Sequence, residues 1–428
     1  MSAVWPSLLA PSRHGRDDLC AVSAQGVRVR FADGRELLCG SSGLWNTALG
    51  YGNEAIADAI ARAVRDASYL SVFRYENTYA RRAAEALVDL CGSDHFSRVL
   101  FSTSGGAAND LAMKLARQLH ALRGEAQRTL VVGLRTGYHG LTFGGFALSG
   151  GDMGQRMYGV DQRLVRHVGP NAVDELKALF ARQGGQIAAV VVEPVLGNGA
   201  VPLDGEFLAE LLRLREEHGF LLVADEVATG FARTGPYFAS SRWPRQPDLL
   251  ILSKGLTNGT CAAAAVMVAR GVDAAFTDAD AVFVHAETQA GTPMTCAAIL
   301  ATLEEMRRLD AEALSRRLSS RLDAGLKSLG DRLPLLTVTE GVGCFRYLGF
   351  TAPGGGPLTA DDVADLVAAV REAGAIVHPG PQGVQLIPAL TYTDGDLDEL
   401  LDCVARGAET FFATLGTPAV GTPAGDGR

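Results

Sequence analysis

Long apolar runs are missing from this sequence. No stretch approaches the ~20 consecutive apolar residues that a membrane-crossing helix needs, so no membrane partner is expected. An excess of basic residues is missing too. The net charge is −9, and an acidic chain offers no electrostatic footprint for nucleic acid. The opening residues, MSAVWPSLLAPSRHG, place no basic cluster before their short apolar stretch, which argues against a secretory signal. Cysteine is sparse. Cys20, Cys39, Cys91, Cys261, Cys296, Cys344 and Cys403 are odd in number and none forms a C-x-x-C pair. That argues against a disulfide framework or zinc site and suits reduced thiols in a cytoplasm. No internal repeat is visible.

What is present is a chain of 428 residues, 47% hydrophobic and 20% charged, enough for a large core and two or three domains. Apolar segments alternate with helical ones. Residues 98–102, 129–133, 187–193, 220–226 and 248–253 are near-continuous apolar strands; 107–122, 174–183 and 207–219 carry helical periodicity. Gly219 stands where a helix ends. Such strands between helices predict an α/β fold with a mainly parallel sheet covered on both faces. Residues 310–415 read as a smaller α+β domain, and the Gly/Pro-rich 416–428 as a disordered tail.

In such sheets ligands bind beyond the carboxyl ends of the strands. Those ends hold a short set of polar residues. Ser104, Gly105 and Gly106 form a strand-to-helix turn whose amides suit a phosphate, although glycine-rich turns before helices are common. Tyr138 and His139 lie in GYHG, Glu193 ends VVE, and Asp225 and Glu226 follow LLVA. Buried carboxylates there are costly without partners; a metal ligand or a helix cap is the plainer alternative. Lys254, in SKGLTNG, is either a surface lysine in a turn or an amine that forms a Schiff base. One cofactor asks for all these groups together. Pyridoxal 5′-phosphate needs an amine for its aldehyde, a carboxylate for its ring nitrogen, amide and hydroxyl donors for its phosphate, and a flat face for its ring. Lys254 and Asp225 are then the catalytic pair, with Lys254 shuttling a proton.

With these motifs in order, the chain resembles the class III, or omega-type, aminotransferases of fold type I over about residues 26–415. The carrying segments are GSSGLWNTALGYG, FSTSGGAANDLAMKLAR, YHG, VEPVLGNGAV, LLVADEVATGFARTG, SKGLTNG and HAETQAGTPMTCAA. The resemblance implies an N-terminal segment (1–45) delivering the active-site aromatic Trp45, a large cofactor domain (46–309) and a small domain (310–415). It implies Ser104, Gly105 and Gly106 at the phosphate, Tyr138 stacked on the ring with His139 beside it, and Glu193 near the cofactor hydroxyl. Asp225 would meet the pyridine nitrogen, Val227 would lie under the ring, and Lys254 would hold the cofactor. Thr288 would reach the phosphate bound by the other subunit, which implies a homodimer with shared active sites.

The departures from the family pattern bear on substrate. The phosphate turn usually reads S-G-[ST]-E-A; here Gly106 and Ala107 remove a hydroxyl and a glutamate. Many members carry a carboxylate-binding arginine in a segment like I-R-x-x-P-P-L or an x-R-P loop. Here Gln385 and His378 stand at those places, and neither makes the bidentate charged pair of arginine. Either another arginine, Arg74 or Arg346, does that work, or the main substrate has no carboxylate beside the reacting carbon. Trp45, Tyr69 and Phe73 are candidates to line an apolar pocket, or are core aromatics. HAETQAGTP and VFRYENTYARR resemble aminotransferases of daptide-type peptide maturation, whose substrate is a peptide ending in a ketone. Three readings follow: an aminotransferase for an acceptor without an adjacent carboxylate, an ordinary omega-amino acid:keto acid aminotransferase, or an aminomutase or racemase of the same fold. A non-catalytic binding protein is disfavoured, since Lys254 and Asp225 are both kept.

Overall fold

The computed structural model describes residues 2–415; the tail expected to be disordered, 416–428, lies outside the described residues. The chain begins with an antiparallel meander, β1 (Ala21–Gln25), β2 (Arg28–Phe31) and β3 (Glu36–Cys39). The body that follows contains β4 (Phe96–Ser102), β5 (Leu130–Leu134), β6 (Val165–Val168), β7 (Ile187–Val192), β8 (Leu221–Asp225), β9 (Leu249–Ser253) and β10 (Ala264–Ala269). They form one sheet in the order β4-β10-β9-β8-β7-β5-β6. Strands β6, β5, β7, β8 and β9 are parallel, and β10 is antiparallel to both its neighbours.

Every residue of β5, β7, β8, β9 and β10 is buried. Successive side chains of a strand point to opposite faces, and the two faces here meet separate cores. Val131, Ala189, Val191 and Val223 pack with Leu111, Leu115 and Leu119 of helix Gly105–Leu122. Leu130, Val132, Val190, Val192 and Leu222 pack with Leu176 and Phe180 of helix Val173–Gln183 and with Phe207 and Leu211 of helix Gly205–His218. Two-sided burial is why these strands read as continuous apolar runs. The last helix starts on the Asp204 carboxylate, which accepts from Phe207 N at 2.7 Å, and stops at left-handed Gly219.

The smaller α+β part opens with helix Ala311–Arg332. It continues through β11 (Leu336–Val342), β12 (Phe345–Phe350), helix Ala360–Ala373, β13 (Ala375–Ile376), β14 (His378–Gly380) and β15 (Gly383–Leu386), and closes with helix Asp394–Leu415. Its antiparallel sheet runs β11-β12-β15-β14. Strand β13 instead pairs in parallel with β3, joining the N-terminal meander to the C-terminal part. Among the described residues no helix is long and apolar enough to cross a membrane.

Candidate active site

Strands β8 and β9 end side by side and deliver the two central groups. Asp225, the last residue of β8, is 2% exposed. Its Oδ2 accepts from His139 Nδ1 at 2.8 Å and Asn109 Nδ2 at 2.9 Å, while Oδ1 accepts from Val227 N at 3.1 Å. The three donors hold the carboxylate in place, and Oδ1 keeps a lone pair for one more donor. Burial works against a charged His139, but the hydrogen bond and charge of Asp225 outweigh it and raise its pKa. Asn109 escaped the sequence reading. A buried amide one turn into a helix that starts on glycines was the available signal.

Lys254 opens a short 3-10 turn after β9, at a left-handed φ of 49°. Burial lowers its amine to about 8, with the Arg233 charge adding to the effect against the pull of Asp225 and Glu193. Its Nζ lies 4.4 Å from the centre of the Trp45 ring. Trp45 ends a turn in which Ser42, Gly43, Leu44 and Trp45 have φ of 46°, 54°, 61° and 69°. Left-handed backbone costs about 1–2 kcal/mol for each residue with a Cβ. The turn is held by Trp45 N donating to Ser41 O at 2.8 Å and by buried Ser42 Oγ donating to Ile387 O at 2.6 Å.

Glu193 follows β7 and is 4% exposed. It accepts from Tyr138 N at 2.9 Å and Gly197 N at 2.8 Å, and burial pushes its carboxyl up to about 7. The Tyr138 ring is half exposed above this bond. At the end of β4, Ser104 Oγ caps helix Gly105–Leu122 by accepting from Ala107 N at 3.2 Å. A Cβ on Gly105 would meet the methyls of Val227 at 3.1 Å and 3.2 Å, so glycine lets the turn and Val227 converge. Glu287, a second residue the sequence reading missed, braces the approach to this turn. It accepts from Ser102 Oγ at 2.5 Å and from the amide and hydroxyl of Thr103. Its place in HAETQAGTP was visible; its partners, far away in sequence, were not.

The small antiparallel sheet supplies one wall. Gln385 pairs in register with His378 on one side and Tyr347 on the other, so the three side chains share a face. The His378 ring packs edge-on against Trp45 at 5.2 Å, and Phe345 meets Trp45 at 5.1 Å. Burial, then the charge of Lys254, lowers His378 to about 4. Gln385 is 1% exposed, and its Oε1 accepts from Gly199 N at 2.8 Å. Arg346 is engaged elsewhere, with Asp323 at 2.7 Å and with Ser319 Oγ and Gly343 O. Within one chain Tyr69, Phe73, Arg74 and Thr288 do not join this group. They line a separate cavity of about 1680 Å³ between residues 69–76 and 282–290, where the Tyr69 hydroxyl donates to Thr288 O at 2.9 Å.

A buried carboxylate with a spare lone pair, an amine of depressed pKa and a glycine turn at a long helix's N-terminus converge at the ends of one parallel sheet. Two buried ring nitrogens near them, Trp45 Nε1 and His139 Nε2, have no hydrogen-bond partner among the described residues. This donor set fits pyridoxal 5′-phosphate, and it defines a pyridoxal-phosphate enzyme of the fold type I architecture.

Comparison with known proteins narrows that class. A family model for class III aminotransferases matches residues 11–406. An omega-aminotransferase of Caulobacter vibrioides is 30% identical over 435 residues, covering 95% of this chain and 97% of the relative. An acetylornithine aminotransferase of Mycobacterium tuberculosis (strain H37Rv) is 32% identical over 403 residues, covering 92% of each. Among solved structures, an amine transaminase from an uncultivated Pseudomonas species, in its pyridoxal-phosphate-bound form, superposes with a TM-score of 0.90 at 27% identity, over 97% of this chain and 99% of that one. The chain belongs to the class III aminotransferases, and it is a pyridoxal-phosphate-dependent aminotransferase.

Proposed function

We propose that this aminotransferase moves an amino group from a small-molecule amino donor to a ketone or aldehyde acceptor lacking a carboxylate beside the reacting carbon. The finest form of this reading is the C-terminal ketone of a ribosomal peptide, as in daptide-type maturation. The observation that carries it is Gln385. Its carbonyl oxygen is committed to Gly199 N, and it stands where the family pattern has a carboxylate-binding arginine. A carboxylate placed there meets no guanidinium from position 385. His378 beside it stays uncharged at neutral pH, and Trp45, Phe345 and Tyr347 make the wall apolar. Arg346, the alternative arginine, is committed to Asp323. Arg74, whose guanidinium lies 5.3 Å from the Phe73 ring centre, remains for a donor carboxylate.

The bound cofactor supplies an aldehyde that bonds amines and a ring that withdraws electrons from the substrate carbon. The residues have separate tasks in this reading. Lys254 holds the cofactor by its amine and, when freed, takes and returns a proton at the substrate carbon; a pKa of about 8 suits both directions near neutrality. Asp225 Oδ1 holds the proton at the ring nitrogen, with His139, Asn109 and Val227 N fixing the carboxylate. Ser104, Gly105 and Gly106 would bind the phosphate, Tyr138 and Val227 would flank the ring, and Glu193 would face the ring hydroxyl. Thr288 and the 69–76 loop complete the partner's site in a homodimer, and the enzyme works in the cytoplasm.

The ordinary omega-amino acid:keto acid reading stays open because the similar proteins include an omega-aminotransferase and acetylornithine aminotransferases. A donor–acceptor screen by mass spectrometry decides. The expectation is a higher kcat/KM for ketone-terminated peptides or neutral ketones than for pyruvate or 2-oxoglutarate. Strong preference for keto acids over every neutral ketone would restore the ordinary reading.

A further inference from the structure

The phosphate turn is one hydroxyl short, and the fold supplies one from elsewhere. Position 106, where the family pattern has serine or threonine, is glycine, and a side chain there would have to move Thr142 aside. A Cβ there would sit 3.2 Å from Thr142 Oγ1 and 3.5 Å from Gly140 Cα. Gly140, at φ 105°, is the tightly constrained one: its own Cβ would come within 2.5 Å of Gly106 Cα. Two glycine backbones therefore touch, and the loop after β5 lies directly on the turn. It brings the Thr142 hydroxyl next to the space a residue-106 side chain would fill.

That hydroxyl is not used to cap its own helix. Thr142 is the N-cap of the short helix Phe143–Leu148, yet its side chain makes no capping bond. The amide it would bind, Gly145 N, donates instead to Asp110 Oδ1 at 2.6 Å. With Gly145 N satisfied by Asp110, Thr142 is not needed as a cap, and its hydroxyl lies beside the N-terminus of helix Gly105–Leu122, where a phosphate would lie. The Thr142 hydroxyl hydrogen-bonds the same Asp110 carboxylate, the acceptor with which a phosphate would compete.

We propose that Thr142 donates its hydroxyl proton to the cofactor phosphate, replacing the group that residue 106 lacks. The inference rests on the phosphate lying at the Ser104–Gly106 turn, and the test separates the two. The affinity of the apoprotein is measured for pyridoxal 5′-phosphate and for pyridoxal, which lacks the phosphate, by quenching of tryptophan fluorescence.

Thr142→Val should weaken pyridoxal 5′-phosphate about 10- to 100-fold, the usual range for a hydrogen bond to a charged group, and leave pyridoxal unchanged. Thr142→Ser should stay within about threefold of wild type, since it keeps the donor. Thr142→Val also loses the bond to Asp110, so unchanged pyridoxal affinity is the control that shows an intact site. Equal weakening of both ligands, no weakening of either, or a Thr142→Ser variant as weak as Thr142→Val would each overturn the proposal. Ser104→Ala provides the separation. If it alters phosphate selectivity and Thr142→Val does not, the turn binds phosphate without Thr142. If neither does, the phosphate lies elsewhere and both assignments fall.

Discussion

Replacing Asp225 by asparagine changes almost no volume but removes one charge and converts one acceptor oxygen to a donor. In the structure Oδ2 receives two N–H groups, from His139 and Asn109, and Oδ1 receives Val227 N. An asparagine can turn its oxygen toward only one side. Facing His139 and Asn109 with it sets NH2 against Val227 N and against the ring nitrogen's proton; the reverse sets NH2 against two donors. Either way a buried donor loses its acceptor, at about 1–3 kcal/mol. The larger effect is electronic. Without a carboxylate the ring nitrogen loses the ion that keeps it protonated, and fixed charges of this kind are worth about two to four decades in rate. Asp225→Asn should therefore lower kcat about 10²- to 10⁴-fold, leaving the KM for the amino donor within a few-fold. Single-turnover absorbance with saturating donor reads the step directly, and a separate titration confirms that cofactor is bound. A loaded Asp225→Asn enzyme turning over within fivefold of wild type would refute the assignment of Asp225 to the ring nitrogen.

Lys254→Ala should abolish turnover and the yellow colour of covalently held cofactor; borohydride reduction and peptide mapping that label another lysine would contradict the role. Because burial lowers the Lys254 amine to about 8, and only the neutral amine attacks an aldehyde, the rate of reconstitution from apoprotein should climb with pH and level off just above 8. A climb continuing to pH 10 would mean an ordinary exposed lysine. Gln385→Arg should raise selectivity for keto acids over neutral ketones about tenfold or more, while lowering the melting temperature, since Gly199 N would face a donor. Unchanged selectivity would place the carboxylate site elsewhere. Sedimentation at assay concentration should find a dimer carrying all the activity, because Tyr69, Phe73, Arg74 and Thr288 lie away from Lys254 within one chain; an active monomer would remove the shared-site reading.

Strands β5, β7, β8 and β9 were legible because burial on two faces leaves an unbroken apolar signature, and the groups at their ends followed from the direction of the sheet. Strand β10 was not: half of AAVMVA is alanine, a residue depleted in strands. Strand β6 is a four-residue edge with Arg166 and His167 at its centre, too short and polar to stand out. Lys254 and Asp225 each carry a local motif. Asn109 and Glu287 do not, since their meaning lies in partners 116 and 185 positions away. Thr142 was hidden for a related reason. Only the contact of Gly106 with Gly140 makes its hydroxyl a neighbour of the phosphate turn.

The pairing of β3 with β13 has a consequence for synthesis on the ribosome. Leu38 meets Ala375, and Ser42 bonds to Ile387 across 345 positions, so the turn that sets Trp45 against Lys254 has no scaffold until most of the chain has been made. Contacts this distant form late. The central sheet and its Asp225 can assemble while translation continues. Residues 38–45 leave the tunnel long before 375–387 and must wait for them, and a nascent chain stopped before β13 should fold its sheet without a finished pocket.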